Sequence, residues 1–213
     1  MKYNPEIHHR RSIRLKGYDY SSQGVYFITL CTQNRENFFG YIEEGILHLN
    51  DAGMMIQKWN EEVSHKFANV TCDEMVVMPN HFHCIWKITT QEEGVNIPAV
   101  VQWFKTMTTN EYIHGVKELG WQPFDKRLWQ RNYFEHIIRD PQAYENIRNY
   151  IRTNPEQWVT DRLHVRADLR VCPYGIASEG IVASDTGADT QVRPNETLQR
   201  DAPTVIEINN HPK

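Results

Sequence analysis

The stretch Met75-Val76-Val77-Met78-Pro79-Asn80-His81-Phe82-His83-Cys84-Ile85-Trp86-Lys87-Ile88 decides the fold. Two runs rich in β-branched, aromatic and sulfur-bearing side chains flank Pro79-Asn80, a pair that suits a turn or a strand entry. Residues 75–78 and 81–88 therefore read as two short strands. Successive side chains of a strand alternate faces, so His81 and His83 point one way and Phe82 and Cys84 the other. Two imidazoles on one face of a strand are half a metal site. On its own the pair is a weak signal, because satisfied core or surface histidines produce the same pattern.

Working outward, residues 24–32 (GVYFITLCT) read as a buried strand, with residues 46–49 as its hairpin partner after Gly40 and Gly45. Asn50 or Asp51 caps a helix in which Met54, Met55, Trp59 and Val63 recur at helical spacing. Pro98 opens a second helix through Ala99, Val100, Trp103, Phe104 and Met107. Residues 128–138 read as an aromatic-rich strand, followed by a helix over 141–153. Strands interleaved with helices predict an α+β fold, an antiparallel sheet of the ferredoxin-like or RRM-like kind with helices packed on it.

The 213 residues carry a formal charge of −4, with 40% hydrophobic and 23% charged side chains, which suits one globular domain with extensions and excludes wholesale disorder. No apolar run approaches the ~20 residues of a membrane span, and the basic N-terminus has no apolar core of a secretory signal. The organisation expected is a basic arm over 1–16, a folded domain over 17–162, and a largely disordered tail over 163–213. The tail is rich in Gly, Ala, Ser, Thr, Asp and Pro. Cys31, Cys72, Cys84 and Cys172 are far apart and predict reduced thiols in a cytoplasmic protein. Charge is uneven: residues 1–16 hold five bases against one acid, and residues 126–152 six against three. Arg10, Arg11, Arg14, Lys126, Arg127 and Arg131 are the candidate phosphate-binding groups, and Trp129 among the last three is the candidate to stack on a base.

The helix over 141–153 supplies a candidate partner for the histidines. At about 100° per residue, Asn154 falls within about 20° of Ile147, at the centre of an otherwise apolar stripe, while Arg148, Arg152 and Glu145 fall on the far side. Tyr150 and Asn154, one turn apart, share that face. Pro155 makes Asn154 the helix end, so a plain capping role is the competing explanation.

Three ordered blocks now stand together: Met78-Pro79-Asn80-His81-Phe82-His83, Leu128-Trp129-Gln130-Arg131-Asn132-Tyr133-Phe134-Glu135-His136-Ile137-Ile138-Arg139, and Tyr150-Ile151-Arg152-Thr153-Asn154-Pro155. The chain resembles the HUH single-strand DNA transposases with one catalytic tyrosine, most closely their REP-associated tyrosine transposase branch, through residues 24–158. Asn132 stands where many relatives carry Gly. The resemblance implies that His81 and His83 ligate a metal, that Asn154 is the third ligand, and that Tyr150 is the nucleophile. It implies Mg²⁺ or Mn²⁺ as cofactor and single-stranded or hairpin DNA from palindromic repeats as partner. It further implies a monomer or homodimer, nucleoid-associated, that cleaves and rejoins DNA through a 5′-phosphotyrosine bond.

Rival readings follow from the same residues. Tyr133, beside Arg131 and His136, is the alternative nucleophile, although a strand tyrosine more often packs. Cys72 and Cys84 with the two histidines would make a zinc site, but the spacing fits no standard module and Cys84 alternates to the wrong face. A catalytically silent nucleic-acid-binding module has no physical need for His81, His83, Tyr150 and Asn154 together. A two-metal phosphoesterase lacks the carboxylate ligands it would need.

Overall fold

The computed structural model describes residues 17–159, so the expected basic arm and the tail lie outside the described residues. In chain order the elements are β1 (Gly24–Cys31), β2 (Gly40–Glu43), β3 (Ile46–Leu49), α1 (Asp51–Lys66), β4 (Val70–Met78), β5 (His81–Ile88), α2 (Ile97–Glu118), β6 (Phe134–Ile138) and α3 (Pro141–Thr153). Each helix begins with a polar side chain that satisfies an otherwise unpaired amide. Asn50 accepts from Gly53 N, Asn96 from Ala99 N, and Asp140 from Ala143 N. Pro follows the cap closely in α2 and α3, where its missing N–H costs nothing.

Four strands form one antiparallel sheet in the order β4-β5-β1-β6. A helix links β1 to β4 and another links β5 to β6, with β4 and β5 joined as a hairpin between them, which is the ferredoxin-like connectivity read from the sequence. One face carries Tyr26, Ile28, Leu30, Phe82, Cys84 and Trp86, and buries them against Met55, Ile56 and Val63 of α1 and Val100, Val101 and Phe104 of α2. The other face carries Phe27, Val76, Met78, Ile85, Phe134 and Ile138 and is covered by Ile147 and Ile151 of α3, with Trp158 beyond it. Burying each of those isoleucines contributes about 1.5–3 kcal/mol, so α3 is held by a short apolar seam.

Two expectations from the sequence are corrected. Residues 46–49 pair with β2 in a separate two-stranded sheet and not with β1. Strand β1 already has both neighbours, β5 and β6, so no edge is left for them. The tight approach of β2 to β3 requires Gly40, because a Cβ there would lie 2.1 Å from the His48 carbonyl oxygen. The second correction concerns residues 128–138, of which only Phe134–Ile138 are strand. Trp129 makes a single bridge to Thr32, and the chain there is held instead by irregular bonds, Gln130 N to Cys31 O at 2.9 Å and Lys105 Nζ to Gln130 O at 2.8 Å. Strand β4 is longer than expected, beginning at Val70. Among the described residues no helix is long and apolar enough to cross a membrane.

Candidate active site

Register places the histidines. His81 lies opposite Cys31 of β1 and Met78 of β4, and His83 opposite Thr29 and Val76, on the face that α3 covers. Both rings are fully buried, and their centroids are 4.6 Å apart. Each Nδ1 has a buried oxygen partner, Asn80 Oδ1 at 2.7 Å from His81 and Thr29 Oγ1 at 2.8 Å from His83. A carbonyl oxygen only accepts, so His81 donates from Nδ1 to Asn80 Oδ1. Burial holds the His83 imidazole down to about 3, so it is neutral at ordinary pH, the form a metal ligand needs. Phe27 stacks on His83 at 5.2 Å and Trp158 lies over His81 at 6.1 Å, which fixes the two ring planes.

Helix α3 delivers the other two groups. Tyr150 Oη is 3.4 Å from His83 Nε2, and its ring meets that of His83 at 5.3 Å and Phe27 at 6.4 Å. Asn154 is fully buried, and neither its Oδ1 nor its Nδ2 has a hydrogen-bond partner among the described residues. An amide buried in that way carries a desolvation cost of about 1–3 kcal/mol. As α3's C-cap residue it bonds through its backbone N to Ile151 O at 3.4 Å, while its side chain does no capping. The described residues thus offer two imidazoles, the Tyr150 phenol beside His83 and, one turn further along the same helix, the buried amide of Asn154. Such a set fits a divalent ion that retains open positions, and it contains none of the carboxylates a two-metal centre would use.

Other expected residues are placed as follows. Lys126, Arg127 and Arg131 are exposed, and Lys126 is 3.6 Å from Asp125. Trp129 is 4% exposed, packs on Phe39 and donates from Nε1 to Thr108 Oγ1 at 2.9 Å, so its ring has no open face for a base, contrary to the expectation from its basic neighbours. Tyr133 belongs to the cluster on the opposite face, with Lys105 Nζ 5.5 Å from its ring centroid, and is not brought to the histidines. Cys84 packs in that same opposite cluster, and Cys72 donates from Sγ to the Asn60 carbonyl, so neither thiol joins the imidazoles. Arg10, Arg11 and Arg14 lie outside the described residues. Sequence reading missed Thr29 and Asn80. The available signal was a threonine in an apolar strand and an asparagine immediately before the first histidine.

Residues 20–154 match the family profile of IS200-like transposases. The chain belongs to the IS200-like transposase family. An uncharacterised protein of Haemophilus influenzae is 42% identical over 176 residues, spanning 77% of this chain and 98% of its own. A REP-associated tyrosine transposase of Escherichia coli K12 is 28% identical over 86 residues, 39% of this chain and 44% of its own. Among solved structures, a REP-associated tyrosine transposase bound to a REP hairpin has a TM-score of 0.44 and 18% identity, covering 74% of this chain and 90% of that one. The transposase-family assignment, drawn first from three sequence blocks, stands. Those blocks fall almost wholly within the matched residues, and the first and third of them supply His81, His83, Tyr150 and Asn154.

Proposed function

We propose that this transposase is a divalent-metal-dependent, single-strand DNA endonuclease and strand transferase that acts on hairpins formed by palindromic repeats. The observation that carries the reading is Tyr150 Oη at 3.4 Å from His83 Nε2, with the buried amide of Asn154, which has no hydrogen-bond partner among the described residues, one turn further along the same helix. A phenol has an unperturbed pKa near ~10 and needs help to act as a nucleophile. His81, His83 and Asn154 would hold Mg²⁺ or Mn²⁺, which polarises a scissile phosphate and offsets the charge that builds in the transition state.

Tyr150 does the covalent work in this reading. Its Oη gives up a proton and forms a bond to phosphorus, the bond to O3′ breaks, and O3′ takes up a proton. The products are a 5′-phosphotyrosine and a free 3′-hydroxyl. The new bond retains the phosphodiester's energy, so the 3′-hydroxyl of another strand reverses the step and joins DNA without ATP. Asn80 holds His81 in orientation and tautomer, Thr29 holds His83 in orientation, and Phe27 and Trp158 exclude water from their faces. Lys126, Arg127 and Arg131 bind phosphates, consistent with their exposure, and the arm residues Arg10, Arg11 and Arg14 extend that binding along the hairpin.

The test is incubation of the protein with labelled single-stranded DNA from palindromes flanking its gene plus Mn²⁺. A covalent protein–DNA adduct on a denaturing gel, absent in Tyr150→Phe and in chelator, is the expected result. If hairpin DNA binds but no adduct forms with any divalent metal, the protein is a binding module.

A further inference from the structure

Outside the site, β4 breaks its alternation. Cys72 pairs with Trp86 and Met75 with Cys84, so two β4 residues, Asp73 and Glu74, stand opposite the single residue Ile85. That is a β-bulge, and bulges re-aim side chains next to functional sites. A regular strand would send one of the two carboxylates to each face. Here both reach the elements on the α3 face, to which Ile85 also belongs.

The two carboxylates grip α3 along one ridge. Asp73 accepts from the Tyr144 hydroxyl and pairs with Lys87 at 2.9 Å, and Lys87 Nζ in turn donates to Tyr144 Oη at 2.9 Å. Glu74 accepts from Nε of Arg152 at 2.7 Å, pairs with its second guanidinium nitrogen at 2.7 Å, and lies 3.6 Å from Arg148. Tyr144, Arg148 and Arg152 are spaced i, i+4, i+8, one ridge of the helix. The side chains of Asp73 and Glu74 are 23% and 21% exposed, and Arg148 25%, so this is a half-sheltered network and not an isolated surface pair.

We propose that Asp73 and Glu74 are positioning residues that fix the roll of α3 and thereby the approach of Tyr150, an inference that rests on Tyr150 being the nucleophile. The fully buried apolar side chains of α3 are Ile147 and Ile151, two points close to one line along the helix, about which it can turn. The carboxylates hold the flank at Tyr144, Arg148 and Arg152, while Tyr150 occupies the other flank, about 60° from Ile147. A small roll therefore displaces the phenol more than the seam, and a misplacement on the order of 1 Å can cost about 10²-fold in rate.

The experiment compares wild type, Glu74→Gln, Glu74→Asp and Asp73→Asn, as full chains with the labelled palindromic single strand and Mn²⁺. Single-turnover adduct formation at saturating protein should fall about 10-fold or more in Glu74→Gln. Hairpin affinity should stay within about twofold, because these residues touch no phosphate-binding group. Glu74→Asp, which keeps the charge, should slow the reaction less than Glu74→Gln. Amide hydrogen exchange across residues 142–153 should speed up in Glu74→Gln and Asp73→Asn. A wild-type rate in Glu74→Gln, equal slowing by Asp and Gln, or a parallel loss of hairpin affinity would overturn the proposal. Were wild type itself to form no adduct, the nucleophile reading would fail separately, and unchanged exchange over 142–153 in Glu74→Gln would then overturn the grip on its own.

Discussion

Replacing Asn154 with leucine should make the metal-free protein more stable while abolishing its chemistry. Asn154 is fully buried on the apolar face of α3, and its amide has no hydrogen-bond partner among the described residues. Burying such a group costs about 1–3 kcal/mol, and exchanging it for an apolar side chain of similar size removes that cost with a repacking loss usually below about 1.5 kcal/mol. A net gain of about 1 kcal/mol follows, which for a domain of this size raises Tm by about 2–6 °C. The assay is thermal unfolding in chelator and again with saturating Mn²⁺. A bound ion at 100 times its Kd adds about 2.7 kcal/mol to wild type, and most of that increment should be missing in Asn154→Leu. If the variant is less stable than wild type in chelator by more than about 1 kcal/mol, the amide is structural. If Mn²⁺ raises both proteins equally, Asn154 is no ligand.

Thr29→Val and Asn80→Leu should each weaken Mn²⁺ binding by about 10–100-fold in titration calorimetry, since each removes the oxygen that orients an imidazole. Trp129→Ala should cost about 3–5 kcal/mol of stability in denaturant unfolding, the signature of a core ring and not of a base-stacking one. Neutralising Lys126, Arg127 and Arg131 should lower the log–log salt slope of hairpin binding by about 0.7–0.9 for each phosphate the protein no longer neutralises. His83 is buried neutral with its titration depressed to about 3, whereas the unfolded chain takes up that proton near the ordinary histidine value of about 6.5. Stability should thus be present in full above about pH 6.5 and fall steadily as pH drops toward 3, and His83→Leu should flatten part of that slope in pH-dependent unfolding.

Local pattern made much of this legible. The helix expected over 141–153 matches α3, and the strand expected over 81–88 matches β5, because capping residues, proline placement and alternation act within a few residues of one another. Those same rules put His81 and His83 on one face and Tyr150 and Asn154 on one stripe, and the fold then brings Tyr150 to His83. What depends on partners distant in sequence was less readable. Residues 46–49 look like any hairpin strand, and only the occupancy of both β1 edges sends them to β2. Trp129 sits among basic residues in sequence, yet a bond to Thr108 and packing on Phe39 draw it inward. The bulge at Asp73 and Glu74 appears in sequence only as two charges in an apolar strand, and their hydrogen-bond partners on α3 are 71 and 78 residues further along the chain.

The most direct measurement is to digest the protein after incubation with labelled palindromic single-stranded DNA and Mn²⁺, and to map the DNA-bearing peptide by mass spectrometry. The account predicts a nucleotide 5′-phosphate attached to Tyr150, formed equally well by Tyr133→Phe and not at all by Tyr150→Phe. A DNA-bearing peptide containing Tyr133, or an adduct that persists in Tyr150→Phe, would contradict it.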